Sequence, residues 1–340
     1  MMLKLKKSTY LIFIFLTLIL VFSYTSINKT KLKSISPDVI RFISFGDNPH
    51  VPETEVENYL RMLLDSINKH DPSLVIHVGD TVGGREPCTN SMIDLQKKVL
   101  NSINAPVIYT PGDNEWRDCY QEKKGEVYDN LDRLNYIRKT YFSKNQTLGR
   151  NPIDIENQGK DGFPENSRLM VNNVAFITAH VTGSNNNFDP SDERNTNEFN
   201  KRDIANINWV RDSFKKYEKA SAYVVAIHAD MYSEGSTFSP VYEKFGLSLY
   251  NLSNDFKKPV LILYGDSHEY KNFQPMKEDY PLIYAIENYG NPDIKALLIE
   301  VDTSKKNPFI VVKVIKGEST KTWLLRNLRR VERKLLSIIS

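Results

Sequence analysis

Apolar residues along this chain fall into two alternating rhythms. Short unbroken runs at 39–45, 74–78, 106–109, 222–227 and 259–264 have the length and β-branched content of strands buried on both faces. Between them lie helical patterns. The clearest is 53–69, where Val56, Leu60, Leu63, Leu64 and Ile67 recur on one face; 92–103 and 200–219 also read as helices. Residues 168–178 read as a hairpin turning at Asn172-Asn173, and segments around 281–287, 295–301 and 308–315 as antiparallel strands. Long polar stretches at 143–167 and 183–197 are expected to be loops. No internal repeat is present and no linker divides 37–320, so the order predicts one layered α/β domain over those residues.

The two ends read differently. Lys4, Lys6 and Lys7 precede an apolar run from Tyr10 to Tyr24, the pattern of a signal peptide or an uncleaved signal-anchor. Both readings export the rest of the chain, to a periplasmic or other extracytoplasmic location, membrane-anchored if the segment is retained. Residues 321–340 read as a basic amphipathic helix with Leu324, Leu325, Leu328, Val331, Leu335, Ile338 and Ile339 on its apolar side. Such a helix suits docking on the body or lying on an anionic membrane.

Charge sharpens this division. Residues 1–36 hold six lysines and no acid and residues 320–340 carry a net +5, so the chain's overall +3 leaves −8 on the body. A body of that sign is a poor partner for a nucleic-acid polymer and suits a site that collects cations.

The candidate chemistry sits where strands end. Asp47, Asp80 and Asp113 each follow a glycine at the end of a predicted strand and are spaced 33 residues apart. His228 ends another strand, and Gly265-Asp266-Ser267-His268 ends the next. In open α/β sheets the carboxyl ends of strands converge on one ligand-binding edge. Carboxylates gathered there without cations would repel one another and shift each other's pKa upward. The mix of oxygen and nitrogen donors suits Mn, Fe or Zn better than calcium. A single Gly-Asp after a strand reads more simply as a turn and helix cap. Its recurrence on successive strands, with two histidines in matching places, favours a metal centre.

These residues resemble the motifs of the calcineurin-like metallophosphoesterases: Asp-x-His, Gly-Asp, Gly-Asn-His-Asp/Glu, a lone His and Gly-His-x-His. The string Pro111-Gly112-Asp113-Asn114-Glu115-Trp116-Arg117-Asp118-Cys119 is similar to one in a bacterial exported branch of that family. The resemblance covers roughly residues 40–302. It implies a four-layer α/β/β/α sandwich of two mixed sheets, two divalent ions and hydrolysis of a phosphoester. Carried over by position, Asp47 and His268 would hold one ion, Asp80 would bridge, and Asp113, His228 and Asp266 would hold the other. Two departures stand out. The family's first His slot is Pro49, which has no donor atom, so His50 would have to take its place. Asn114 occupies the slot of the His that assists the leaving group, and an amide cannot act as an acid near neutral pH. These departures motivate a rival reading, a degenerate member that binds phosphate-bearing ligands or a protein partner without turnover. A third is a metal-free hydrolase using paired carboxylates.

Three weaker signals remain. The string from Ala179-His180 to Asn187 is similar to one in the same branch and implies that His180 touches the substrate phosphate or the metal edge; the alternative is a loop-stabilising histidine. Arg202, Asn206 and Trp209 share one helix face, with Trp209 read as core and Arg202 as a possible phosphate ligand. Cys88 follows Asp80 by eight residues and Cys119 follows Asp113 by six. Their parent strands should end side by side, so the two loops are expected to meet in a disulfide, which export would preserve.

Overall fold

A computed structural model of the chain describes residues 39–232 and 237–317. The N-terminal lysine-led segment and the basic helix expected at 321–340 lie outside the described residues. Among those described, no helix is long and apolar enough to cross a membrane.

The first half builds β1 (Val39–Phe45), α1 (Val56–His70), β2 (Leu74–His77), α2 (Asn90–Leu100), β3 (Val107–Tyr109) and α3 (Asn130–Tyr141). Then come β4 (Glu156–Gln158), β5 (Phe163–Val171), β6 (Val174–Thr178), α4 (Glu193–Lys216), β7 (Ala222–Ala226), α5 (Glu243–Phe256) and β8 (Val260–Tyr264). The last strands are β9 (Lys271–Phe273), β10 (Ile283–Glu287), β11 (Lys295–Asp302) and β12 (Phe309–Lys316).

Two mixed sheets result. One has the order β12-β11-β1-β2-β3 and the other β4-β5-β6-β7-β8-β10-β9. β1, β2 and β3 run parallel, as do β6, β7, β8 and β10. The alternation of side chains along each strand assigns the layers. Ile40 and Phe42 of β1 and Val224 and Leu261 of the second sheet share the core between the sheets. Phe42 meets Phe176 there edge to face, with centroids 5.3 Å apart. Ile43 and Phe45 point the other way, onto Leu60, Leu63, Ile93, Leu134 and Ile137 of the first helical layer. Tyr223, Val225 and Ile262 likewise face Trp209, Val210, Phe214, Phe245 and Leu249 of α4 and α5. The architecture is therefore α/β/β/α, and strands buried on both faces explain the unbroken apolar runs.

Where the structure departs from the sequence reading, the reasons are local. β10 pairs parallel with β8 and antiparallel only with β9, because residues 265–282 carry the chain back before it re-enters the sheet. α4 begins at Glu193, inside the stretch read as a loop. Its first two turns are almost wholly polar; the signal for their start is the Asp192 side chain, which accepts from the Arg194 and Asn195 N–H groups. α3 and α5 escaped the periodicity reading. α3 presents few apolar residues, and Gly246 with Ser and Asn interrupts α5. The 143–167 stretch contains β4 and the start of β5.

Candidate metal centre

After β1, β2 and β8 the terminal groups follow an abrupt change of backbone direction. Asp47 (φ 53°), Asp80 (φ 54°), Asp266 (φ 78°) and His268 (φ 65°) all adopt the left-handed region, which is costly for side-chain-bearing residues and recurs at functional sites. Close backbone approach makes room for the side chains. A Cβ on Gly265 would lie 2.2 Å from Asp47 Oδ2, and one on Gly183 would lie 2.7 Å from Asp266 Oδ1 and 2.9 Å from Asp113 Oδ2.

The two sheets deliver these ends to one edge. His228, after β7, is the link: its Nδ1 lies 2.7 Å from the Val78 carbonyl beyond β2, and its Nε2 lies 3.1 Å from Asp113 Oδ1. The same Nε2 is 3.4 Å from Asp80 Oδ1 and 3.8 Å from Asp266 Oδ1. The Asp266 N–H donates to Asp47 Oδ1 at 2.9 Å, and His268 Nε2 is 3.8 Å from that oxygen.

Among the described residues, three groups each bring their donor atoms within 4.8 Å of one another: His50, Asp80 and His268; Asp47, Asp80 and His228; and Asp113, His228 and Asp266. The structure thus gathers Asp47, His50, Asp80, Asp113, His228, Asp266 and His268 at one place. His50, one residue beyond the expected slot, stands beside His268 with ring centroids 5.0 Å apart.

The electrostatics are those of a crowded acidic cluster. Burial pushes Asp47 up to about 8, with Asp266 and Glu287 adding to the rise against the pull of His228. Burial also lifts Asp80 well above the usual carboxylate range, reinforced by Asp113, Glu115 and Asp47. Burial and Asp113 bring Asp266 to about 6. Asp113 goes the other way: burial acts upward, but the hydrogen bond to His228 and a second from Ser184 hold it below its ordinary value. Burial would lower His228, yet Asp80, Asp113, Asp266 and Asp47 together raise it well above an ordinary imidazole. Asp47 Oδ2 is buried without a hydrogen-bond partner. A divalent cation would satisfy that oxygen and remove the repulsion, so the donor set fits metal ions.

The remaining predicted residues are placed as follows. Asn114 turns toward Asp80: its backbone N–H donates to Asp80 Oδ1 at 3.1 Å and its side-chain amide donates to Oδ2. His180, expected at the phosphate or metal edge, does not reach it. It has no exposed surface, its Nδ1 lies 3.0 Å from Glu165 Oε1, and its ring packs against Trp116. Burial holds it down at about 4, so it is a neutral interior group. Arg202 is fully buried and bonds Glu198, the His180 carbonyl and Asn186, which leaves no donor for a phosphate. Trp209 lies in the core.

Several contributors escaped the sequence reading. Ser184 Oγ contacts Asp113 Oδ2 at 2.5 Å and Asp118 Oδ1 at 2.8 Å. It begins a run of four left-handed residues, Ser184, Asn185, Asn186 and Asn187. The Gly-Ser-Asn-Asn-Asn composition was the available signal, since Asn tolerates that region best among side-chain-bearing residues. Buried Lys124 donates to the carbonyls of Gly83 (2.6 Å), Asn114 (3.0 Å) and Glu86 (3.3 Å), tying together the loops after β2 and β3. The Cys88–Cys119 disulfide joins the same loops, with Cα atoms 5.8 Å apart.

The sequence model for calcineurin-like phosphoesterases matches residues 41–270, more than half of the chain. The chain belongs to the calcineurin-like phosphoesterase family. The family match spans Asp47, His50, Asp80, Asp113, His228, Asp266 and His268, all of which converge here. No curated protein sequence matches the chain significantly. Solved structures with a similar fold include a dimetal phosphatase from Danio rerio, 11% identical, covering 82% of this chain and 99% of that one with a TM-score of 0.49. Purple acid phosphatase PPD1 from yellow lupin seeds is 16% identical, covering 78% and 50% of the respective chains with a TM-score of 0.46. GAP50, the anchor in the inner membrane complex of Plasmodium, is 13% identical, covering 82% and 88% with a TM-score of 0.45.

Proposed function

We propose that this calcineurin-like phosphoesterase hydrolyses phosphoesters with two divalent ions, Mn, Fe or Zn, held at the strand-end edge. The observation that carries the reading is the convergence of four carboxylates and three imidazoles in donor groups that share Asp80 and His228. Asp47, His50, Asp80 and His268 would hold one ion; Asp80, Asp113, His228 and Asp266 would hold the other. Bound there, the ions supply Lewis acidity toward a phosphoryl group and activation of water at neutral pH. The chain's own groups do the rest. Asn114 fixes both oxygens of Asp80, Ser184 fixes Asp113, and the Val78 carbonyl fixes the tautomer of His228 so that Nε2 faces the ligands.

Asn114 brings no acid to the leaving group, and its amide is already engaged by Asp80. Turnover should therefore favour esters with good leaving groups. The same observation favours, as the second reading, a member of the family that binds phosphate-bearing ligands or a protein partner without turnover. A panel of activated aryl phosphomonoesters and phosphodiesters with added Mn²⁺, read with metal analysis of the purified protein, decides between them. Two bound ions with turnover support the hydrolase; two bound ions with none across the panel support the binding protein.

We further propose membership of the bacterial exported branch, with work outside the cytoplasm. The lysine-led apolar segment and the Cys88–Cys119 disulfide support it, because such bonds persist in oxidising compartments. Retention of the N-terminal segment, or surface binding by the basic C-terminal residues, would hold the protein at a membrane.

A further inference from the structure

The two halves of the donor set differ in chemistry. His50 and His268 stand together beside the shared Asp80, so this half offers two imidazoles. Asp47 lies between the halves: it is grouped with Asp80 and His228, and its Oδ1 is 3.8 Å from His268 Nε2. Among the described residues the other half offers one imidazole. Around His228 Nε2 stand Asp113 Oδ1 at 3.1 Å, Asp80 Oδ1 at 3.4 Å and Asp266 Oδ1 at 3.8 Å. Three carboxylate oxygens thus converge on a single ring nitrogen. The motifs that this chain resembles have neutral Asn and His where it has Asp113 and Asp266.

Each of those two acids is held by its other oxygen. Ser184 Oγ donates to Asp113 Oδ2 at 2.5 Å, and the Asp230 N–H donates to Asp266 Oδ2 at 3.2 Å. Asp230 is itself fixed by Lys271 Nζ at 2.8 Å, which also meets Glu287 at 2.8 Å. Gly183 closes over the same oxygens: a Cβ there would lie 2.9 Å from both Asp113 Oδ2 and Asp266 Oδ2. The loops after β6, β7 and β8 therefore turn each Oδ1 toward His228 and hold it there.

Donor type decides which ion such a place keeps. Zn²⁺ outranks Mn²⁺ at most nitrogen and oxygen sites, but imidazole widens that preference and carboxylate oxygen suits Mn²⁺. Charge strengthens the hold on any divalent ion without telling one from another. We propose that Asp113 and Asp266 make the second position a manganese position, beside a first position at Asp47, His50 and His268 that prefers zinc. The inference rests on the metal-centre reading and goes beyond it by giving the two positions different ions. Ser184 and the Asp230 N–H act as positioning groups for the oxygen-rich half.

The test is zinc titration of the Mn²⁺-loaded full chain, followed by metal analysis and by the electron paramagnetic resonance of Mn²⁺. The first equivalent of Zn²⁺ should displace one Mn²⁺ and turn the spectrum of a coupled pair into that of an isolated ion. The second Mn²⁺ should leave only at higher Zn²⁺. His268→Ala should lose the early exchange and keep the late one. Asp266→His should merge the late exchange with the early one. Ser184→Ala should weaken the retained Mn²⁺ by roughly 10–100-fold and leave the early exchange unchanged. Wild-type exchange in a single step would overturn the assignment, and that measurement needs no variant to fold. So would an early exchange that survives His268→Ala, or separate exchanges that survive Asp266→His. Ester turnover on the same samples separates this inference from the hydrolase reading. Turnover with single-step exchange sinks the ion assignment alone. Two-step exchange without turnover sinks the hydrolase and leaves the ion assignment standing.

Discussion

Asn114 holds Asp80 by two hydrogen bonds, one from its backbone N–H at 3.1 Å and one from its side-chain amide. The residue that replaces an acid in the family pattern is thus a positioning group for the carboxylate shared between two donor groups. Asp80→Asn should abolish nearly all turnover and reduce bound metal, because one oxygen donor to each ion is weakened. Metal analysis of the purified variant checks this; wild-type metal content and activity would remove Asp80 from the centre.

Asn114→His restores an acid near the leaving group but breaks the amide contact with Asp80. We expect turnover of poor leaving groups to rise by roughly tenfold or more, and that of activated esters to change little or fall. The readout is the slope of log kcat/KM against leaving-group pKa. A parallel shift of the whole line would show that this position affects the carboxylate only.

The disulfide ties the loop after Asp80 to the loop after Asp113. It closes 31 residues, for which loop entropy gives roughly 3–4 kcal/mol of stability. Reduction should lower activity before global unfolding, since ligand spacing is disturbed first. Parallel recording of activity and far-ultraviolet dichroism during reduction tests the order, and simultaneous loss would count against it. Thiol titration of denatured, unreduced protein should find no free cysteine.

His180 makes stability depend on pH. Burial holds its folded-state pKa down at about 4, against an ordinary imidazole value near 6.5. The unfolded chain therefore takes up the proton first as pH falls. Stability from this group is complete above about 6.5 and is lost as pH drops toward 4, by on the order of 3 kcal/mol. Glu165, beside it, is held at about 2; burial acts upward, but Arg138 and His180 outweigh it. Its contribution persists to lower pH and is lost between about 4.5 and 2. Urea titrations across pH 4–7 should show the first loss, and His180→Gln should flatten it.

The alternation of the central strands with α1, α2 and α4, the buried character of those strands and the recurrence of acids at strand ends were legible in the sequence; α3, α5 and β4 were not, because their patterns are weak or interrupted. Each legible feature depends on local chemistry: side-chain period, apolar run length and the turn after a strand. Asp47, Asp80, Asp113, His228, Asp266 and His268 could be named because a parallel sheet sends every strand's carboxyl end to one edge. Three features needed the tertiary structure. His50 could be named from the sequence only as a stand-in for Pro49; the structure places it in the donor set, where the chain beyond Asn48 brings its ring beside His268. His180 and Arg202 belong to the interior because Glu165, Trp116, Glu198 and Asn186 surround them, partners that lie up to 64 residues away. Ser184 and Lys124 gain their places from loops of different strands closing over one another. Local sequence fixes which groups a strand end presents; burial, hydrogen-bond partners and charge are set by what the rest of the chain packs against them.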